Sequence, residues 1–293
     1  NLVTNANAEH FWLNEGFTVF AERRILESLY GADFAALSAA LGRRRLQSAV
    51  DRFSATPELT VLQTKLDGID PDDAFSEVPY EKGYLFLRTL EQSIGRDAFN
   101  RFLRSYVARF RFQSITTEEF VDFLNQQQPA LFDKVDGNCW MHDPGVPSNA
   151  PSPNSERLSA LQQLGAEVPS KELADRMSAT EWALYLDSLP HPSEKSFCGR
   201  LDEAFKLNNS GNFEILVSWL KLAAVSGYEP SLPRIESVLG EVGRMKFLQP
   251  LYTVLAERPE TRPIAVRCYE HYRDGYHPIA RRLLSHVERE RKP

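Results

Sequence analysis

The sequence predicts a mainly α-helical protein in two parts, and three observations carry that reading. Apolar residues return at helical spacing along most of the chain, stretches with strand alternation are scarce, and a break with four prolines, HDPGVPSNAPSPNSER at 142–157, divides two helical regions. At 293 residues the chain is also long for one hydrophobic core. The expected divisions are a first domain at 1–144, a Pro/Ser-rich linker at 145–157 and a second helical domain at 158–293.

The first helix contains HFWLNEGFTVFAERR, residues 10–24. At about 100° per residue, Glu15 and Glu22 point the same way as Phe11, Val19, Leu26 and Leu29, while Arg24 and Glu27 point away. Two carboxylates therefore fall in the stripe expected to face the core. A buried carboxylate is costly unless it is paired, hydrogen-bonded or bound to a metal, which makes both of them candidate functional residues.

GADFAALSAALGRRRLQSAV predicts a second helix with Leu37, Ala40, Leu41 and Leu46 inward. SATPELTVLQTKLDGIDPDDAFSEVPYEKG, rich in Pro, Gly, Asp and Ser, predicts a long loop, and loops of that length in compact domains are commonly functional. Helix returns in YLFLRTLEQSIG, with Leu85, Leu87, Leu90 and Ile94 apolar and Gly95 as cap. DAFNRFLRSYVARFRF then gathers Phe99, Phe102, Leu103, Tyr106 and Phe110 on one side. SITTEEFVDFLNQQ opens with a capping signal, Thr116 or Thr117 ahead of Glu118 and Glu119. Beyond the linker, TEWALYLDSL, NFEILVSWLKLAAVSG, LPRIESVLGEVG, QPLYTVLAERP and HPIARRLLSHVERER are short amphipathic helices in series. That is the pattern of an armadillo or HEAT-like α-solenoid.

The net charge of −6, from 34 basic and 40 acidic residues, argues against a nucleic-acid or anionic-membrane partner. No apolar run approaches the ~20 residues of a membrane span. Cys139, Cys198 and Cys268, an odd number without a CxxC, are expected as reduced core thiols of a cytoplasmic protein. His10, His142, His191, His271, His277 and His286 form no i, i+4 pair and are expected mostly at surfaces or caps. There is no initiator Met and no signal-peptide pattern, so the chain is expected to be a piece of something longer.

WLNEG at 12–16 resembles the segment that supplies the third zinc ligand in gluzincin aminopeptidases of the aminopeptidase N family. With NLVTNANAEHFWLNEG, DPDDAFSEVPYEKG, SITTEEFVDFL and GRMKF in this order, the whole chain is similar to the leukotriene A(4) hydrolase and aminopeptidase B branch. The resemblance implies the C-terminal, mainly helical half of a thermolysin-like catalytic domain followed by an armadillo-type domain. It implies one zinc ion with Glu15 as ligand, completed by two histidines of an HExxH helix expected upstream of Asn1. Glu22 is implied as the partner that orients a histidine ligand.

Tyr80, in VPYEKG, is implied as the transition-state donor, because a phenol can hydrogen-bond the oxyanion that develops when an amide is attacked by water. Glu81 and Lys82 are expected to hold the loop. Asp72, otherwise a turn-forming residue, is implied to line the substrate pocket and receive a basic side chain. By the same resemblance, Phe75 stands where close relatives generally carry a tyrosine, which implies one hydroxyl fewer in that pocket. Arg244 and Lys246, in GRMKF, are implied to hold the C-terminal carboxylate of a short peptide, a task suited to a guanidinium fork with an ammonium beside it.

The implied activity is that of a zinc aminopeptidase acting on short peptides, with the N-terminal part of the same protein as its structural partner. One alternative is epoxide hydrolysis of a lipid epoxide in the same pocket, which the missing hydroxyl at Phe75 disfavours. Another is a non-catalytic helical scaffold that binds peptides or proteins, since the chain by itself holds no HExxH. Alone, residues 1–293 are expected to bind zinc poorly and to hydrolyse nothing.

Overall fold

The computed structural model describes residues 2–71 and 74–288, apart from the His286 side chain, and these residues are mainly helical. They form two compact units, one ending at Ser155 and one starting at Glu156.

In the first unit α1 (Trp12–Tyr30) and α2 (Ala32–Arg52) are separated by Gly31 alone, and α3 (Gly83–Ile94) and α4 (Arg96–Phe110) by Gly95 alone. Both glycines have positive φ, 88° and 84°, which lets one helix end and the next begin without an intervening loop. Further on come α5 (Thr117–Gln127), α6 (Leu131–Lys134) and α7 (Gly137–His142). Among the described residues the strands are β1 (Thr4–Asn5) and β2 (Ser114–Ile115), a short parallel pair with Thr4 opposite Ser114. The core is largely aromatic. Trp12 meets Phe86 and Phe120 edge-on, with ring centroids 5.6 and 5.2 Å away.

Of the two threonines at the start of α5, Thr116 caps the helix in a reciprocal box with Glu119. Thr117 is buried, and its hydroxyl accepts the Trp12 Nε1–H at 3.0 Å. Its backbone N–H donates to His10 Nδ1 at 3.2 Å, so His10 is a buried core group rather than a surface one. Cys198 and Cys268 are buried free thiols, whereas Cys139 is exposed, against the expectation for all three.

The inward face of α1 also differs from the expected one. It carries Trp12, Leu13, Gly16, Val19, Phe20 and Arg23, about 100° round the helix from the Glu15–Glu22 stripe. Glu15 is half-buried, Glu22 is exposed, and Leu29 is 66% exposed. The reason is steric: a Cβ on Gly16 would stand 2.9 Å from the Gly83 backbone, so the two glycines let α1 and α3 touch main chain to main chain. That contact selects the face.

The long loop is more ordered than expected. Pro57–Thr60 is a 3-10 turn, and Val78–Lys82 is a π-helical turn continuous with α3. Residues 143–151 run along the first unit, where the Gly145 N–H donates to Thr60 Oγ1 at 2.8 Å and Asn149 Nδ2 donates to the Val135 carbonyl at 2.9 Å.

The second unit comprises α8 (Glu156–Leu164), α9 (Lys171–Arg176), α10 (Ala179–Ser188), α11 (Lys195–Phe205), α12 (Phe213–Val225), α13 (Leu232–Glu241), α14 (Met245–Glu257), α15 (Arg262–Tyr272) and α16 (Pro278–Leu284). Helices α8, α10, α12, α14 and α16 pack one on the next, and α13 packs on α15 in a second row. Each thus covers its apolar face with neighbours close in sequence, the solenoid principle. Helix α12, apolar on nearly every side, lies centrally, with Leu216, Trp219, Leu220 and Leu222 fully buried. No helix among the described residues is long and apolar enough to cross a membrane.

Candidate active site

Two pieces of the first unit bring chemistry together: the first turn of α1, which carries Glu15, and the π-helical turn, which carries Tyr80. The turn opens with Val78, which anchors it in the core, and Pro79, whose missing N–H costs nothing in a first turn. The Tyr80 ring lies edge-on to Phe11, with centroids 5.9 Å apart, and to Phe75 at 6.1 Å. Burial, then the neighbouring Glu15 and Glu77 carboxylates, push the Tyr80 phenol up to about 12, so it stays protonated at neutral pH. Burial also raises Glu15 above the usual carboxylate range. Among the described residues, no hydrogen bond engages either the Tyr80 hydroxyl or the Glu15 carboxylate.

The other candidates are distributed differently. Glu22 is exposed, two turns along α1 on the Glu15 side. Phe75 is 56% exposed, with its carbonyl accepting from Arg52 Nη2 at 2.9 Å. Asp72 lies outside the described residues. In the second unit, Arg244 is the residue before α14, its guanidinium 5.9 Å from the Phe247 ring, and Lys246 pairs with Glu214 at 2.5 Å.

Beneath the turn lies a set of buried charges that sequence periodicity passes over. Glu81 pairs with Arg23 of α1 at 2.7 Å, and the guanidinium stacks on the Tyr84 ring at 4.0 Å. Lys82 is fully buried and donates to the Thr60 and Asp143 carbonyls at 3.0 and 2.8 Å. Glu91, also buried, receives Arg24 and Arg88. The one local trace of the first pair is Gly42 in mid-α2, where a Cβ would overlap both the Arg23 guanidinium and the Glu81 carboxylate. Helix propensity alone favours alanine over glycine by roughly 1 kcal/mol. We nevertheless expect Gly42→Ala to destabilise by about 1–3 kcal/mol through overpacking, read from urea unfolding of the chain. A stabilised variant would mean that α2 stands clear of the ion pair.

Among the described residues no three His, Cys, Asp or Glu side chains cluster as a metal site. Glu15 is nonetheless the kind of group a metal completes, being half-buried, raised by desolvation and without a cationic partner among the described residues.

Residues 1–138 match the family model of the Peptidase family M1 domain, and residues 177–287 match that of Leukotriene A4 hydrolase, C-terminal. The chain belongs to the M1 peptidase family, in its leukotriene A4 hydrolase branch. It is 38% identical to Leukotriene A-4 hydrolase of Xenopus laevis, over 97% of this chain and 49% of that protein. It is 35% identical to Leucine aminopeptidase 2 of Coccidioides immitis, over 97% and 48% respectively. The solved structure of yeast LTA4 hydrolase in complex with Bestatin matches 99% of this chain and 52% of its own with a TM-score of 0.87 at 29% identity. The chain thus spans about half the length of the curated relatives it matches.

Proposed function

We propose that residues 1–293 act as the C-terminal half of a cytoplasmic zinc aminopeptidase that removes N-terminal residues from short peptides. The observation that carries this reading is the pairing of an uncompensated, half-buried Glu15 carboxylate with a protonated, unengaged Tyr80 phenol. Relatives named leucine aminopeptidase and a match bound to Bestatin support it. In this reading Glu15, with two histidines from a segment beyond these residues, would hold a zinc ion, which would supply Lewis-acid chemistry.

The chain's own residues do the rest. Tyr80 donates its O–H to the substrate carbonyl oxygen as negative charge develops there, and its raised pKa keeps the proton in place. Phe11 and Phe75 stand edge-on to the phenol ring and fix the side from which a substrate carbonyl reaches it. Glu22 orients a histidine ligand, and Asp72 receives a basic substrate side chain. Arg244, which has no carboxylate partner among the described residues, and Lys246, which exchanges Glu214 for the substrate, anchor the peptide's terminal carboxylate. Phe75 offers a phenyl and no hydroxyl beside Tyr80, so peptide hydrolysis fits this pocket better than epoxide hydrolysis.

Elemental analysis tests the reading. About one zinc per complete protein and none on residues 1–293 alone is expected, with Glu15→Ala abolishing binding in the complete protein. A complete protein that purifies without zinc and takes up none would overturn it.

A further inference from the structure

We propose that Lys82 is a positioning residue for Tyr80, acting with the Arg23–Glu81 pair to fix the rotation of the π-helical turn and thereby the direction of the phenol. The inference rests on the reading of Tyr80 as the oxyanion donor. Consecutive side chains leave a helical turn roughly a quarter-turn apart, so residues 80, 81 and 82 are three spokes of one wheel. Two of the spokes are pinned to different parts of the fold.

Glu81 is held by Arg23 of α1 at 2.7 Å, with Gly42 of α2 closed against both groups. Lys82 Nζ bridges the Thr60 carbonyl at 3.0 Å and the Asp143 carbonyl at 2.8 Å. These acceptors lie 22 residues before and 61 residues after it, yet they belong to one corner. The Thr60 hydroxyl donates to the Pro57 carbonyl at 2.6 Å and accepts the Gly145 N–H at 2.8 Å, closing that corner on itself.

The third spoke is Tyr80, whose hydroxyl makes no hydrogen bond among the described residues, and the Phe11 and Phe75 rings stand edge-on to its ring. Its direction is therefore inherited from the backbone that Glu81 and Lys82 hold. The choice of lysine supports this. Complete burial pushes the amine down to about 7, a desolvation cost that a methionine or leucine filling the same space would avoid. What the lysine adds is a pair of directed donors.

A misplacement of about 1 Å at a reacting group can cost on the order of 10²-fold in rate, so a loosened turn is read in kcat. In the complete, zinc-loaded protein, Lys82→Met is expected to lower kcat for an alanyl chromogenic amide about tenfold while KM changes less than about twofold. In a Tyr80→Phe background the same substitution is expected to change kcat by less than about twofold, because the group it positions is gone. Loss of kcat by the same factor in both backgrounds, or no loss in either, would overturn the positioning role while leaving the role of Tyr80 intact. If Tyr80→Phe itself leaves kcat unchanged, the oxyanion reading fails and the inference fails with it. If Lys82→Met does not fold, Thr60→Val, which opens the acceptor corner, takes its place in the same cycle. A severalfold loss of kcat dependent on Tyr80 supports the role, and an unchanged kcat overturns it.

Discussion

Replacing Tyr80 with phenylalanine in the complete protein is expected to lower kcat for alanyl or arginyl amides by about 10²–10³-fold with little change in KM, the cost of losing one oxyanion donor. The ring contacts with Phe11 and Phe75 survive the substitution, so binding and packing are retained and the loss falls on the transition state. The protonation state points the same way. The phenol ionises only near 12, so in the wild-type protein it remains a donor throughout the neutral and mildly alkaline range, and the Tyr80-dependent part of kcat stays flat there. Steady-state kinetics on the two proteins decides the matter, and an unchanged kcat in Tyr80→Phe removes the phenol from the mechanism.

Glu81→Gln is expected to produce the largest loss of stability in the first unit, about 3–5 kcal/mol, because it leaves a buried guanidinium without its counter-charge. Arg23 has 7% side-chain exposure, and its Nε and Nη1 have no partner in the described structure, so Glu81 is its principal compensation. The pair is not itself strongly favourable. Burial, the largest influence, keeps the Glu81 carboxyl above its ordinary value even with Arg23 beside it, as expected where desolvation opposes the attraction. Arginine cannot respond to isolation by losing its proton, so breaking the pair costs far more than forming it gains. Removing both charges, with Arg23→Met and Glu81→Leu together, is accordingly expected to recover most of the loss. The urea midpoint at constant slope measures both variants. A loss below about 1 kcal/mol for Glu81→Gln would mean that water reaches the guanidinium.

Much of the helical framework is legible in the sequence because it depends on residues a few positions apart. The Thr116–Glu119 box is a three-residue relation and can be read directly, apart from the choice between two threonines. The aromatic stripe of α4 is equally local: Phe99, Phe102, Tyr106 and Phe110 are all buried, as their spacing predicts. Gly31 and Gly95 end their helices for reasons carried by single residues. The motifs WLNEG and VPYEKG draw attention to Glu15 and Tyr80, although neither records that the two are neighbours.

Tertiary structure decided the rest. Periodicity places Glu15 and Glu22 on the core side of α1, but the Gly16–Gly83 backbone contact turns a different face inward, one that admits Arg23 because Glu81 waits for it 58 residues later. The loop before α3 reads as irregular because its order comes from Lys82 reaching carbonyls 22 and 61 residues away. His10 is buried by a threonine 107 positions distant. Hydrogen-bond ladders, caps and amphipathic stripes are set by neighbours along the chain, so the amino-acid sequence by itself determines them. Which surfaces can approach closely enough to bury a charge depends on the packing of residues far apart in sequence, and only the folded chain contains that contact.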